Sequence, residues 1–303
     1  MSIHDAAARR DFTLNAMSYD SEHKVLIDPY NGLEDLKNKQ LRHTSEAFAE
    51  DPLRVLRSFQ FASRFDMEVA PETIKLSEQL LPEYNTISTE RIQVEWEKWA
   101  TRGKSPSAGL QVLHDTQWNK TLPGLRENTG DRMFTSVDSM GARCDEDSTL
   151  PRNVMLPATV MANIPCEHRN EFARAAIIGK KNQRAAVDLA NSVDNNVVGE
   201  IQSVEDARVA SLQNKTSLRQ KIAMYEAFYG KEAARHAREK SLEAGVFDKP
   251  EKDIIGGQDV LSVVKRKPGP WVAETLDKIR LAQAQGEFRN YDEGIAFIKR
   301  MNL

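Results

Sequence analysis

Apolar residues recur at spacings of three to five positions after residue 44, beginning with Phe48, Leu53, Leu56 and Phe59. Such spacings place side chains on one face of an α-helix, where a neighbouring element can bury them. The pattern therefore predicts a mainly α-helical protein from this point onward. We expect helices at residues 71–81, 88–101, 105–116, 153–164, 167–178, 181–193, 201–213, 216–228, 230–244, 257–264, 270–285 and 290–301.

The first 43 residues show a different pattern, of short segments separated by polar turns. Arg9 to Ser18 suits a short helix, and Met17 to Asp20 with Lys24 to Asp28 suits a β-hairpin. Leu33 to Asn38 suits a helical turn, and Gln40 to His43 suits a short strand. Because so little sheet is only marginally stable by itself, we interpret this segment as the remnant of a mixed α/β domain.

These patterns divide the chain into four predicted parts. Within the third part, residues 123–151 combine poor periodicity with several glycines and a polar run, which is typical of a long loop. We expect the mixed α/β part at residues 1–43, followed by helical parts at 44–102, 103–195 and 196–303.

The composition is that of a soluble globular protein, with 40% hydrophobic and 29% charged residues. No segment approaches the roughly 18 consecutive apolar residues of a membrane span, and the first residues lack the basic and apolar parts of a signal peptide. Cys144 and Cys166 are the only cysteines, and they form no Cys-x-x-Cys motif. We therefore expect a cytoplasmic protein without a membrane partner or a structural zinc site.

The net charge of −3 argues against a nucleic-acid partner only if the charges are evenly distributed. Residues 1–110 contain 14 Lys and Arg against 18 Asp and Glu, whereas residues 210–303 contain 17 against 13. Positive charge thus accumulates toward the C-terminus, which favours an anionic partner there. The charges alone fit an ordinary mixed protein surface equally well.

Asp51, Arg54 and Arg57 lie three residues apart, so on a helix beginning near Glu50 they form a row on one face. A carboxylate only accepts hydrogen bonds and a guanidinium only donates them. Asp51 can therefore accept from the exocyclic amine of cytosine or adenine while Arg54 donates to the adjacent ring nitrogen. Guanine and uracil present the opposite pattern. An acid at a helix start, followed by solvated arginines, explains the same residues without a ligand.

Motifs that follow one another in the first 57 residues carry a family resemblance. They are Arg9-Arg10-Asp11-Phe12-Thr13-Leu14-Asn15-Ala16-Met17, Ile27-Asp28-Pro29-Tyr30-Asn31-Gly32-Leu33-Glu34-Asp35-Leu36, Arg42, and Glu50-Asp51-Pro52-Leu53-Arg54-Val55-Leu56-Arg57. Together they resemble the bacterial-type, class II CCA-adding nucleotidyltransferases and their poly(A) polymerase relatives. The resemblance implies addition of C and A to tRNA 3′ ends from CTP and ATP. It also implies that the four predicted parts are the C-terminal part of a nucleotidyltransferase head, a neck, a body and a tail.

The resemblance assigns a nucleotide-binding role to five residues. Arg10 and Asp11 would bind the ribose and phosphates of the incoming nucleotide. Asp51 and Arg54 would read its base, and Arg57 would assist nucleotide binding. These assignments agree with the hydrogen-bond chemistry of the Asp51 and Arg54 side chains.

Two later segments resemble the family more weakly. Ile87-Ser88-Thr89-Glu90-Arg91-Ile92, with Glu95 and Lys98, is similar to the last neck motif. Lys265-Arg266-Lys267-Pro268-Gly269-Pro270 resembles the tail that binds the tRNA elbow, which implies tRNA contacts by Lys265, Arg266, Lys267 and Gly269. Pro270 suits the first position of a helix, and free backbone N–H groups beside three cations suit a phosphate.

The family's metal-binding motif lies upstream of the motif that begins here at Arg9. That motif is a glycine-rich segment and an Asp-x-Asp pair that binds two Mg²⁺ ions. Asp145 and Asp147 form an Asp-x-Asp, but neither a predicted strand nor glycines precede it. We therefore expect no metal site and no catalytic residue in this chain, with Mg²⁺ bound by a separate head polypeptide. Gln60 is a second departure, because the family tends to have another arginine one turn beyond Arg57.

The leading hypothesis is a split CCA-adding enzyme, in which this chain selects nucleotides and binds tRNA but is inactive alone. One alternative is a catalytically inactive tRNA-binding protein that shields or delivers tRNA. A second alternative is a fragment of a poly(A) polymerase, because the head motifs are shared. Incorporation of C as well as A distinguishes the two enzymatic hypotheses.

Overall fold

The computed structural model describes residues 2–212 and 216–301. The chain forms two compact units that meet in sequence between Ala190 and Asn191. Helices predominate in both units, and strands are short and few in the described ranges, so the prediction of a mainly α-helical fold with a small mixed α/β start is confirmed. No helix of the described residues is both long and apolar enough to span a bilayer. The division into head, neck, body and tail stays a prediction.

The predicted helix from Arg9 to Ser18 is wrong. A helix lies earlier, at α1 (Ile3–Ala8), because Ser2 and Asp5 form a capping box at its start. The chain is extended at Phe12, which forms an antiparallel bridge with His43, and only a short 3₁₀ turn follows at Thr13–Asn15. Pairing with a segment some thirty residues away therefore overrides the local helical pattern.

Two very short pairs of strands follow. β1 (Ser18–Asp20) and β2 (Val25–Ile27) form the predicted antiparallel hairpin. β3 (Gln40–Leu41) pairs in parallel with β4 (Glu68–Val69). Between the pairs, α2 (Gly32–Lys37) begins at a glycine, where a Cβ atom would collide with the backbone carbonyl of Thr13. This close approach explains why a glycine lies at that point.

The rest of the first unit is helical, and its core is aromatic. Trp96, Trp99 and Trp118 are fully buried, and the Phe59 ring lies 4.8 Å from that of Trp96 and 5.4 Å from that of Trp99. The helices are α3 (Leu53–Phe65), α4 (Pro71–Gln79), α5 (Thr89–Arg102), α6 (Pro106–Asp115), α7 (Asp131–Glu146), α8 (Arg152–Met161), α9 (Cys166–Ala176) and α10 (Lys180–Asp194), with 3₁₀ turns at Glu46–Glu50, Leu81–Thr86 and Trp118–Thr121.

The long loop predicted at residues 123–151 is also wrong, because α7 occupies most of it. Met133, Val137, Met140 and Cys144 are buried at spacings of three and four. This helical pattern is inconspicuous in the sequence because serine, glycine and polar residues separate its apolar positions. Gly141, which suggested a turn, instead lets the helix approach Pro106, whose Cγ would lie 3.1 Å from an added Cβ.

The second unit contains six helices among its described residues. Val198, Leu218, Ile222 and other residues form one hydrophobic core, and a second core contains Phe288 and Ile298. The helices are α11 (Val204–Leu212), α12 (Leu218–Tyr229), α13 (Lys231–Glu243), α14 (Gly257–Val264), α15 (Trp271–Ala284) and α16 (Tyr291–Arg300). The predicted end of a helix at residue 213 lies outside the described residues.

Candidate nucleotide-binding site

Asp51 lies before α3 rather than on it, in an extended conformation with φ −139° and ψ 101°. One carboxylate oxygen accepts the Leu53 N–H at 3.2 Å, and the other accepts Arg91 Nη2 at 2.7 Å. The expected row of three residues on one helix therefore contains only Arg54 and Arg57. The physical reason is Pro52, which immediately precedes the helix and disfavours a helical conformation in the residue before it. Two fixed contacts orient the Asp51 carboxylate.

Arg54, in the first turn of α3, is held by the backbone. Its Nη1 donates to the carbonyl of Ala47 at 2.7 Å, and its Nη2 donates to the carbonyl of Arg9 at 2.9 Å. A guanidinium has five N–H donors, so donors remain for a ligand after these two bonds. The contact with Arg9 also brings the Arg-Arg-Asp motif to the start of α3 across 45 positions of sequence.

Asp11 and Arg57 form an ion pair that links the first motif to α3. Arg57 Nε lies 2.5 Å from Asp11 Oδ2, and Asn15 Nδ2 donates to Asp11 Oδ1 at 2.6 Å. Arg57 Nη1 lies 4.0 Å from Glu95, whose buried carboxylate also binds Lys98 at 2.7 Å. Arg57 is thus placed between two carboxylates, and both oxygens of Asp11 have partners within the chain.

Arg10 has a different environment from the other two arginines. Its side chain is exposed, and it forms no ion pair or side-chain hydrogen bond within the described ranges. Its carbonyl oxygen accepts a hydrogen bond from the Thr44 hydroxyl, which fixes the backbone. A fixed backbone with a free guanidinium suits an anionic ligand such as a triphosphate.

A cluster of aromatic side chains packs next to the site. The Phe12 ring lies 5.9 Å from the Phe48 ring and 5.2 Å from the Phe61 ring, and His43 lies 5.7 Å from Phe48. Phe12 and Phe48 are fully buried. Burial lowers the pKa of His43, so its ring is uncharged at neutral pH. This packing fixes the Arg-Arg-Asp segment against α3.

Gln60 is buried, with 2% of its surface exposed, and its amide nitrogen has no hydrogen-bond partner. Its side chain therefore does not reach the surface that carries Arg10. Glutamine in place of the family's arginine at this position therefore changes the buried interior beside α3.

Arg91 and Asn15 contact the predicted residues, but we assigned neither of them a role from the sequence. Arg91 belongs to the segment that resembles the last neck motif, and Asn15 belongs to the first motif. The motifs therefore contained both residues, yet only the fold shows that they bind Asp51 and Asp11.

A pair of metal ions does not fit the residues present at this site. Among residues 2–212 and 216–301, no group of three His, Cys, Asp or Glu side chains is placed to hold a metal ion. Asp11 is occupied by Asn15 and Arg57, and Asp145, at the end of α7, pairs with Arg152. Two Mg²⁺ ions require several carboxylate oxygens around a common centre, which this arrangement does not supply.

The predicted tRNA-binding residues lie in the second unit, between α14 and α15. Lys265, Arg266, Lys267 and Gly269 are all exposed. The Arg266 guanidinium lies 5.3 Å from the Trp271 ring, and the Trp271 indole donates to the Lys267 carbonyl at 3.0 Å. This aromatic ring therefore holds the turn with its three cations in one place.

Comparisons with known proteins find similarity to a poly(A) polymerase head domain and to CCA-adding enzymes. The family model described as "Poly A polymerase head domain" matches residues 1–42. The CCA-adding enzyme of Listeria monocytogenes serotype 4b (strain F2365) is 30% identical over 297 residues, which cover 95% of this chain and 70% of that protein. A crystal structure of the Bacillus stearothermophilus CCA-adding enzyme in complex with CTP has a TM-score of 0.72 and 27% identity, over 98% of this chain and 74% of that one. The Thermotoga maritima CCA-adding enzyme complexed with tRNA-CCA has the same fold, with a TM-score of 0.64 and 20% identity, over 98% of this chain and 73% of that one.

Proposed function

The chain belongs to the family of CCA-adding enzymes, and from this membership we propose that it selects CTP and ATP and binds tRNA during CCA addition. The observation that carries the proposal is the fixed placement of Asp51 and Arg54 at the start of α3. Each side chain has two hydrogen bonds to the protein, and each keeps further hydrogen-bonding capacity.

Base selection follows from the different chemistry of these two groups. Each oxygen of the Asp51 carboxylate has a second lone pair, which accepts the exocyclic amine of cytosine or adenine. Arg54 donates to the adjacent ring nitrogen of the same base. Uracil and guanine would place a carbonyl against Asp51 and an N–H against Arg54, and both groups would then lose their partners. The protein thereby discriminates without a template strand.

In this proposal, Arg10 binds the phosphates of the nucleotide. Arg10 is exposed and has no ion pair or side-chain hydrogen bond with any other described residue, so it can bind the triphosphate without first breaking such a bond. Arg57 assists from α3, and its ion pair with Asp11 holds the first motif in position. Asp11 is in this respect a positioning residue.

We assign tRNA binding to the turn Lys265–Lys267 and to Gly269. Three exposed cations on a turn fixed by Trp271 suit the phosphate backbone. The Thermotoga maritima protein, which shares the fold, is complexed with tRNA-CCA, and we extend tRNA binding to this chain as part of the proposal.

The catalytic metal ions are, in our proposal, bound by Asp-x-Asp on a separate head polypeptide of the class II type. Support comes from the β1–β2 hairpin, where Tyr19, Val25 and Leu26 are 63%, 52% and 44% exposed. Phe12, by contrast, is fully buried. A two-stranded sheet with exposed apolar residues suits pairing with further strands. Such a complex would work in the cytoplasm.

Nucleotide binding by the single chain tests base selection. Asp51→Asn replaces one acceptor oxygen by a donor with little change of volume, whereas Lys104→Gln removes an exposed charge elsewhere in the first unit. We expect wild type and Lys104→Gln to bind CTP and ATP more tightly than UTP and GTP. Asp51→Asn should lose this preference. The difference in binding free energy between the two pairs of nucleotides should decrease by about 1.5–3 kcal/mol, the contribution of a hydrogen bond to a charged group. An unchanged preference in Asp51→Asn contradicts the assignment.

Reconstitution tests whether a separate metal-binding head polypeptide completes the enzyme. The chain is mixed with a metal-binding head fragment, Mg²⁺, CTP, ATP and tRNA that ends before CCA. Incorporation of both C and A only in the mixture supports the split enzyme, and incorporation of A alone indicates a poly(A) polymerase. A stable complex that incorporates neither nucleotide refutes both, and tRNA binding without incorporation leaves the inactive tRNA-binding protein.

A further inference from the structure

The backbone around Arg10 is held by hydrogen bonds from the chain just before α3. The Ala8 carbonyl accepts from Ser45 Oγ at 2.8 Å. The Arg10 carbonyl accepts from the neighbouring Thr44 hydroxyl. These bonds fix the backbone on both sides of one peptide group, whose carbonyl oxygen belongs to the residue between them. The position of the Arg10 side chain depends on how firmly this short segment is held.

Arg54 supplies the bond to that middle carbonyl, which belongs to Arg9. Its Nη2 donates to the Arg9 carbonyl at 2.9 Å, and its Nη1 donates to the Ala47 carbonyl at 2.7 Å. Ala47 lies in the 3₁₀ turn before α3, and its N–H donates to Ser45 Oγ at 3.2 Å. The guanidinium thus bridges this turn and the segment that carries Arg10. Because two nitrogens of one planar group are used, the bridge fixes orientation as well as distance.

The side-chain hydrogen bonds of Asp51, the other base-reading group, lead away from Arg10. One carboxylate oxygen accepts from the N–H of Leu53 on α3, and the other accepts from Arg91 on α5. Loss of the Asp51 carboxylate therefore removes a base contact and leaves the bonds around Arg10 in place. Loss of the Arg54 guanidinium removes a base contact and one of those bonds together.

We propose that Arg54 is also a positioning residue for the phosphate site, so that base selection and phosphate binding are coupled through its guanidinium. The inference rests on the proposed function, in which Arg54 donates to the base and Arg10 binds the triphosphate. A base bound to the remaining donors of Arg54 holds the guanidinium in the orientation that fixes the Arg9 carbonyl. The backbone beside Arg10 is then restricted before phosphate binds, which lowers the entropy lost on binding. By linkage, bound phosphate favours base binding to the same extent.

The coupling makes nucleotide selection stricter than the base contacts alone would make it. Cytosine and adenine present an acceptor to Arg54 and hold its guanidinium, whereas uracil and guanine present an N–H group. A wrong base therefore leaves Arg10 less restricted. Such a nucleotide loses phosphate affinity in addition to the base contacts.

The test uses the two halves of a nucleotide as separate ligands of the full chain. Tripolyphosphate probes the phosphate site without a base, and cytidine or uridine supplies a base without phosphate. Calorimetry measures the tripolyphosphate affinity alone and with saturating nucleoside. Arg54→Gln removes the charge and the bridge, whereas Arg54→Lys keeps the charge but cannot form the two-nitrogen bridge. Asp51→Asn is the matched control, and thermal unfolding checks that all variants are folded.

In the wild type, cytidine should raise the tripolyphosphate affinity about fivefold, and uridine should leave it unchanged. Without nucleoside, both Arg54 variants should bind tripolyphosphate about five- to tenfold more weakly than the wild type. Cytidine should no longer raise their affinity. Asp51→Asn alone should bind tripolyphosphate at least as tightly as the wild type, because it loses no bond to the Arg10 segment.

Full tripolyphosphate affinity in Arg54→Lys would show that Arg54 acts only through its charge, and it would overturn the proposal. An equal loss in Asp51→Asn, or no effect of cytidine on the wild type, overturns it as well. Arg10→Gln separates these outcomes from a failure of the proposed function. If Arg10→Gln abolishes tripolyphosphate binding and both Arg54 variants retain it, the proposed function stands and the positioning role is refuted. If Arg10→Gln binds tripolyphosphate like the wild type, or the wild type does not bind it, the assignment of phosphate binding to Arg10 fails, and the coupling fails with it.

Discussion

The ion pair between Asp11 and Arg57 should contribute measurably to stability, because it is mostly buried and joins segments 46 positions apart. The side chains of Asp11 and Arg57 are 7% and 30% exposed. Breaking a fully buried pair by removing one partner costs about 3–5 kcal/mol. Because Arg57 retains access to water, we expect a loss of about 2 kcal/mol from Asp11→Asn or from Arg57→Gln, and a coupling energy of about 1–2 kcal/mol.

Thermal and urea unfolding of the two single variants and the double variant measure this coupling. For a unit of this size, about 2 kcal/mol corresponds to a decrease in Tm of roughly 4–8 °C. The control is the pair Lys39 and Asp66, which has the same 2.5 Å separation but is 63% and 53% exposed. Its coupling should stay below about 1 kcal/mol. Equal coupling energies for the two pairs would refute the argument from burial.

Three further predictions concern the first unit. Gly32→Ala should lower stability by about 1–3 kcal/mol in urea unfolding, because its Cβ meets a neighbouring backbone carbonyl, whereas Gly130→Ala, with no atom near its Cβ position, should lose only about 0.5 kcal/mol through weaker capping of α7. Burial raises the pKa of the Cys144 thiol to about 11, so at pH 8 a thiol reagent should modify exposed Cys166 rapidly and Cys144 only after unfolding; two fast thiols would contradict this. Burial lowers the pKa of His43, so stability should fall as the pH drops from 7 to 5, because unfolding then takes up a proton, and His43→Gln should show a shallower decrease.

Most helices were predictable from the sequence because each buries one face at a spacing of three to four residues. Predicted helices such as 257–264 and 290–301 correspond to α14 (Gly257–Val264) and α16 (Tyr291–Arg300). The two errors have opposite causes. The segment around Phe12 has a helical pattern but pairs with a distant strand, and α7 has a weak pattern but packs closely through Gly141.

The nucleotide-binding residues were predictable in identity but not in arrangement. The motifs gave Arg10, Asp11, Asp51, Arg54 and Arg57, and the complementary chemistry of a carboxylate and a guanidinium indicated which bases they would select. Sequence spacing suggested one row on one helix. The extended backbone before α3 separates the first member of that row from the other two.

The sequence by itself determined the family, the helical periodicity and the residue types that can read a base, because each of these depends on neighbouring positions in the chain. Only the tertiary structure decided which groups are already engaged. It pairs Arg57 with Asp11 and Arg91 with Asp51, and among residues 2–212 and 216–301 it gives the Arg10 side chain no partner. These contacts join residues about 40 or more positions apart, and no local pattern specifies them, because they depend on how the helices pack.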